Sequence, residues 1–295
     1  MIRAAIDWGS SRFRAYRLNN AFEIVDTRDS ATGIKYVAER SFEDIFRKQI
    51  GDWLKPGDTI ILSGMVGSQN GWVESKYIPC PAYLDDLGSN CTELILDDLT
   101  LQFLPGICQS SPADVMRGEE LQLLGATESH NSGIFVMPGT HSKWALMKNR
   151  SIDRFHTFPT GELYDLLLNQ SLIGSLLTSN SWDQAAFSEA IKLGYEDSQF
   201  LNNLFLTRSR VLLEQMHSSS VPAWLSGLLI GSEIREGSQL IKDLTKKIFL
   251  IGTIDLCEKY GSALQQLKIE YQQISSKVTI NAFISIARQM ASLRE

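Results

Sequence analysis

The chain has little cysteine, little histidine, no surplus of positive charge and no long apolar run. Its four cysteines, Cys80, Cys91, Cys108 and Cys257, stand far apart without a CxxC pair. That spacing argues against a zinc ribbon or a disulfide framework and leaves isolated thiols. The four histidines, at 130, 141, 156 and 217, include no pair at helical ligand spacing, so a histidine-based metal centre is not expected. Lys and Arg number 28 against 34 Asp and Glu, a net charge of −6. A broad nucleic-acid surface needs a basic excess, so only small local basic pockets are open to this chain. The longest apolar run, Trp224 to Ile230, is broken by Ser226 and Gly227 and is too short to span a bilayer. The opening MIRAAIDWGSS reads as a strand, not as a basic leader with an apolar core and a cleavage site. A cytoplasmic location is expected, with neither nucleic acid nor membrane as a partner.

What is present is a globular balance, with 43% hydrophobic and 21% charged residues over 295 positions, enough for one large domain or two ordinary ones. The order of segments is more telling. An apolar strand over residues 2–6 is broken by Asp7-Trp8-Gly9-Ser10-Ser11, a second strand follows over 13–18, and the Asn19-Asn20 turn leads into a third over 22–27. The plan returns downstream: a strand over 134–137, a break at Pro138-Gly139-Thr140-His141-Ser142-Lys143, a strand over 144–147, a polar turn, and a strand over 152–158. Helical periodicity follows each meander. After the first it predicts helices from Ser41 and from Ser111-Pro112-Ala113-Asp114 to about residue 129, with strands at 59–63 and 99–104 between them. After the second it predicts helices over 162–169, 182–193 (ended by Gly194), 199–216 and 222–236. A strand over 248–251 before Gly252-Thr253, a short strand near 269–274 and a last helix from about 279 complete the chain. The predicted architecture is α/β and duplicated: a lobe over 1–130, a second over 131–278, a C-terminal helix over 279–295 that could pack back on the first lobe, and a cleft between the two mixed sheets.

The two loops carry the chemistry. A tight hairpin after a buried strand frees successive backbone N–H groups to converge on an anion. Gly9 lets a phosphate approach, Ser10 and Ser11 add hydroxyl donors, and Asp7 at the strand end can hold Mg²⁺ beside those phosphates. A single such loop reads as an ordinary turn; a second, at Gly139-Thr140, favours phosphate binding.

Here the sequence resembles the actin/hexokinase/Hsp70 superfamily of ATPases. Within it, several strings look like the 2-dehydro-3-deoxygalactonokinase family: IDWGS from residue 6, SGMVGS from 63, GW at 71, YIPCPA from 77, VMRGEE from 115, VMPGTHSKW from 136, TGEL from 160 and LSGLLIG from 225. The resemblance implies a two-lobed actin-like fold, ATP and Mg²⁺ as cofactors, and phosphorylation of the sugar acid 2-dehydro-3-deoxy-D-galactonate at its 6-hydroxyl. A related 2-keto-3-deoxy acid, or a nucleotide-dependent switch or phosphohydrolase on the same fold, are the alternatives, and homo-oligomers stay open. One departure stands out. The superfamily usually carries an acid before the second loop's glycine, and this chain has Pro138. Lys143, with or without His141, could neutralise phosphoryl charge instead.

The resemblance places the base that takes the hydroxyl proton near residues 114–120. Glu119 is preferred to Asp114, because Asp114 stands where a capping acid belongs. A sugar acid also needs a cation and hydrogen bonds. Arg117 is the first choice for a bidentate pair, with Arg12 and Arg14 as competitors. Gly64, Gly67 and Ser68 would let the substrate lie against backbone, and Trp72 either closes a wall or packs in the core. Glu162 either faces the cleft or merely follows the helix cap Thr160. Gly252 and Thr253 are expected at the adenosine, Gly227 less so, since close helix packing explains its GxxxG spacing with Gly231.

Overall fold

The computed structural model describes residues 1–38, 41–127, 129–177, 181–241, 247–275 and 277–292. The chain divides into two units. The first takes Met1–Ser132, Met147–Arg154 and Ser276–Glu295; the second takes Gly133–Leu146 and Phe155–Ser275. Its C-terminal segment and the tip of a distant hairpin thus belong to the unit begun by its N terminus. The four cysteines form no disulfide, and among the described residues no helix is long and apolar enough to cross a membrane.

Alternation builds the first unit. Strands β1 (Ile2–Trp8), β2 (Phe13–Leu18) and β3 (Ile24–Ser30) form an antiparallel meander, and β4 (Thr59–Ser63), buried along its whole length, lies parallel to β1. One face of this sheet offers Ala4, Ile6, Trp8, Phe13 and Ala15 to helix α1 (Phe42–Ile50), whose Phe42, Phe46 and Ile50 are buried. The helix starts where expected, yet Ser41 makes no side-chain cap; its hydroxyl donates to the Ala38 carbonyl at 2.8 Å. Strands β5 (Tyr77–Pro79) and β6 (Ala82–Tyr83), helix α2 (Leu84–Ser89), and strands β7 (Thr92–Leu96) and β8 (Leu99–Phe103) follow, the last two completing the order β3-β2-β1-β4-β8-β7.

The helix expected from Ser111 is not there. Strands β9 (Gly106–Ser110) and β10 (Ala113–Met116) form a hairpin around Ser111-Pro112, with β5 beside β9. The helix begins only after Gly118, as α3 (Glu119–Ala126). Pro112 therefore marks a turn, and Asp114 is a strand residue whose Oδ1 accepts from the Val115 N–H at 2.8 Å, not a helix cap. On the face of the main sheet away from α1, α3 packs with the last helix, α9 (Val278–Ser292): a Cβ on Gly125 would stand 2.1 Å from the Val278 carbonyl.

In the second unit strands β11 (Gly133–Met137), β12 (Ser142–Lys148) and β13 (Ser151–Phe158) are neighbours, and β14 (Ile248–Ile251) lies parallel to β11 with β15 (Tyr271–Ile274) beyond it. The 147–154 tip of the β12–β13 hairpin pairs Ser151 with Tyr83 of β6 inside the first unit. Helices α4 (Thr160–Gln170), α5 (Gln184–Glu196), α6 (Phe200–Leu212), α7 (Val221–Ile241) and α8 (Ile254–Gln266) surround the sheet. Helix α7 is buried nearly all round, which its apolar composition requires. Gly194 does not end α5. It lies within it, where a Cβ would fall 2.4 Å from the Leu228 carbonyl, so it lets α5 and α7 touch.

Candidate active site

In the first unit the parallel strands β1 and β4 end side by side, with Asp7 in register with Ser63. Neighbouring positions in a parallel pair present side chains to one face, so the Asp7 carboxylate and the Ser63 hydroxyl share it. The Ser63 hydroxyl is buried and has no partner among the described residues. Burial pushes the Asp7 carboxyl up; the Arg14 guanidinium, 3.3 Å away, pulls it down, and the charge of Glu119 adds to the rise. Glu119 therefore acts on Asp7 although 112 positions separate them.

Two glycines make that approach available. Gly64, at φ +94°, would bring a Cβ within 2.8 Å of the Trp8 carbonyl oxygen and 3.3 Å of Asp7 Oδ1. Gly118, at φ +108°, would put one 3.4 Å from the Gly64 Cα. Both positions need a backbone that side-chain-bearing residues rarely adopt. The start of α3 is thereby brought against the end of β4. Glu119 accepts the Arg117 N–H at 3.1 Å, and the buried Glu120 accepts the Gly118 N–H through both oxygens at 2.7 and 2.8 Å. Burial, then the neighbouring Glu119, pushes Glu120 up to about 7.

Arg117 is anchored within its own unit. Its two terminal nitrogens donate to the Ser75 hydroxyl and, at 2.9 Å, to the Ser75 carbonyl, and its guanidinium lies 4.3 Å from the Tyr77 ring centre. It is only 7% exposed. Its terminal nitrogens are spent on holding the 64–76 loop, while its buried Nε has no hydrogen-bond partner among the described residues. Gly67 abuts this contact, and the Ser68 hydroxyl donates to the Met65 carbonyl at 2.7 Å. Trp72 packs among Trp8, Phe42, Phe46 and Phe103, with ring centres 5.5 to 6.4 Å away. Of the other arginines, Arg12 pairs with Asp29 at 2.8 Å and Arg14 with Asp7.

The first loop is tied at its carbonyls. Gly9 and Ser10 accept the Ile34 and Lys35 N–H groups at 3.0 and 3.2 Å, and the Gly9 N–H closes the turn on Arg12 at 2.9 Å. The exposed hydroxyls of Ser10 and Ser11 have no partner among the described residues.

The second unit holds the other group of residues. The loop after β11 is braced by the start of α4: the Glu162 N–H donates to the Thr140 carbonyl at 3.0 Å, the Glu162 carboxylate meets His141 Nε2 at 2.8 Å, and Gly161 sits so close to Gly139 that a Cβ would lie 2.4 Å from its carbonyl oxygen. Glu162 and His141 thus brace each other, both about half exposed. Lys143 is buried, and its ammonium donates to the His141 carbonyl at 3.2 Å. Gly252, after β14, faces Pro138, with 3.5 Å from its would-be Cβ to the Pro138 carbonyl oxygen, and Thr253 occupies the position before α8.

Beside Gly139 opens a cavity of about 80 Å³, walled by Gly161 and Tyr164 of α4, Leu229 and Ile230 of α7, and Leu256 of α8. Beneath it lies a residue that sequence reasoning missed. Glu233, 3% exposed, accepts from the Trp144 indole N–H at 2.8 Å, the Tyr260 hydroxyl and the Thr160 hydroxyl. Thr160 and Tyr260 also line the cavity. The one signal in the sequence was an acid inside the apolar stretch LLIGSEI.

A cation fits the first group in a limited way. No set of three or more His, Cys, Asp or Glu residues that could hold a metal occurs among the described residues. One partly buried carboxylate beside an unpartnered hydroxyl instead suits Mg²⁺, which keeps most of its waters and takes further oxygens from phosphates.

A family model described as 2-keto-3-deoxy-galactonokinase matches residues 7–286. The chain is 33% identical over 291 residues to the 2-dehydro-3-deoxygalactonokinase of Escherichia coli K12, covering 98% of each protein. A candidate 2-dehydro-3-deoxygalactonokinase of Sinorhizobium meliloti, known from a crystal structure, superposes with a TM-score of 0.88 at 31% identity over 97% of this chain and 96% of that one. At 12% identity, component A of the (R)-2-hydroxyglutaryl-CoA dehydratase of Acidaminococcus fermentans gives a TM-score of 0.53 over 99% of this chain and all of that one, a likeness of fold alone. The expected α/β fold of the actin-like ATPase kind is borne out. With a family model covering nearly its whole length and a relative aligned end to end, the chain belongs to the 2-keto-3-deoxy-galactonokinase family.

Proposed function

We propose that this chain transfers the γ-phosphoryl group of ATP to the 6-hydroxyl of 2-dehydro-3-deoxy-D-galactonate, giving the 6-phosphate and ADP, in the cytoplasm. The observation that carries the reading is the packing of Gly118, just before Glu119, on Gly64, which itself abuts Asp7 at the adjoining ends of β1 and β4. Phosphoryl transfer needs charge neutralisation, alignment and one acceptor for a proton. Asp7 would hold Mg²⁺, directly or through water, and the bound cation would offset phosphate charge. Glu119 accepts the 6-hydroxyl proton as the hydroxyl oxygen bonds phosphorus and the bond to the β-phosphate oxygen breaks. Gly64, Gly67 and Ser68 form the backbone against which the sugar acid lies, and Arg117 fixes that loop. In the second unit, Gly139 and Thr140 offer N–H groups to phosphate, Lys143 adds positive charge, and the neighbouring cavity takes the adenosine, with Gly252 and Thr253 at its edge.

A coupled assay of ADP release tests the reading. ADP should appear only when a 2-keto-3-deoxy sugar acid is added, and faster with the galactonate-derived acid than with its gluconate-derived epimer. Equal ADP release without any sugar acid would replace the kinase with a phosphohydrolase.

A further inference from the structure

Helix α6 buries Asn203 and Thr207 and turns its opposite stripe to solvent. Leu201 is 81% exposed there, Phe205 61% and Leu212 58%, and Leu213 just beyond is 67% exposed. The Arg208 guanidinium donates to the Leu172 carbonyl, which adds Leu172, 70% exposed, to the same surface. A single exposed leucine is ordinary, whereas five large apolar side chains side by side mark an interaction surface.

The spacing identifies the kind of partner. Positions 201, 205, 208 and 212 follow intervals of four, three and four, the rhythm of a seam laid along a second helix. Arg208 contributes its aliphatic stem to that seam. The stripe begins and ends in leucine, so it is complementary to its own reverse. In an antiparallel pair, Leu201 of each copy meets Leu212 of the other, and Phe205 lies along the stem of Arg208. The five side chains offer roughly 600 Å², most of the ~800 Å² that each partner buries in a standard stable interface. The flank suits a protein better than an anionic membrane, because Arg210 is already neutralised by Glu189 at 2.8 Å.

We propose that α6 is the interface of a homodimer in which two copies of this helix pair antiparallel about a two-fold axis. The contact lies behind the nucleotide cavity: Leu204 and Met216 pack on Trp224 and Leu228 of α7, the helix that walls it.

Sedimentation of the full chain at micromolar concentration, with and without Leu201→Glu plus Phe205→Glu, tests this. The unmodified chain should run at twice the monomer mass. The double variant should run as a monomer, associating at least ~100-fold more weakly, with its circular dichroism unchanged. Leu201→Lys and Leu212→Glu chains, each weakened alone, should dimerise again when mixed. A monomeric unmodified chain, a dimer indifferent to these charges, or a monomer that floats with anionic vesicles would each overturn the proposal, and absence of rescue on mixing would overturn the antiparallel register.

Discussion

Asp7 and Glu119 are far apart in the chain and close in the fold, and the proposed chemistry depends on that approach. Asp7→Ala should lower turnover about 10²-fold or more while the melting temperature holds, since the residue lies at a strand end and outside the apolar core. Near-normal turnover would remove it from the cation site. Glu119→Gln should slow transfer by a similar ~10²-fold with the KM for ATP unchanged. Asp114→Asn, on the β10 hairpin, should leave rates near normal; a large loss there would move the proton acceptor to that strand. Glu120 governs stability. Its carboxyl is raised to about 7 in the fold against an ordinary 4.5, so the folded chain holds this proton more tightly than the unfolded one. The group therefore costs nothing at low pH, and its cost grows as the pH rises from 4.5 to about 7. Glu120→Gln should flatten that part of the stability profile and gain up to ~3 kcal/mol at pH 8 over the parent, read by urea melts at several pH values.

Elements were legible wherever periodicity was long. Both meanders, the buried strand β4 and the helices of the second unit lie where the alternation placed them. The failures came at punctuation. Ser111-Pro112 satisfies the pattern for a helix start and for a hairpin turn equally, and what decides is a partner strand, β9, whose pairing no local window contains. Gly194 looked like a terminator because a sequence does not reveal which helix presses against it. Arg117 was visible as a cation, but Ser75, which occupies its fork, is 42 positions away. Glu233 shows the same limit on the second sheet, since its partners lie on β12, α4 and α8. Its carboxylate has only acceptors to offer three donors; Glu233→Gln brings an N–H against one of them and should cost ~1–3 kcal/mol in stability. If the cavity takes the nucleotide, the same change should raise the KM for ATP and leave that for the sugar acid nearly unmoved. A melt and a two-substrate kinetic grid separate the effects.

Across the whole molecule, the family strings were the strongest signal, because VMRGEE and VMPGTHSKW are not demanded by any fold and both fall where the two groups of site residues lie. The division into units was less legible. A boundary near residue 130, with a C-terminal helix able to pack back on the first lobe, leaves out the return of Met147–Arg154, which the N-terminal unit includes together with Ser276–Glu295.

That last segment bears on how the enzyme is made. Helix α9 lies against α3, whose first residue is Glu119, so the carboxylate corner lacks its backing until residues 278–292 have emerged from the ribosome. A nascent chain can complete its second sheet while the first still waits. Ending the protein after residue 275 should therefore leave material that misfolds or is proteolysed near α3, which limited trypsin digestion would reveal, and the unit opened by β1 waits for a segment made after the whole of the second unit.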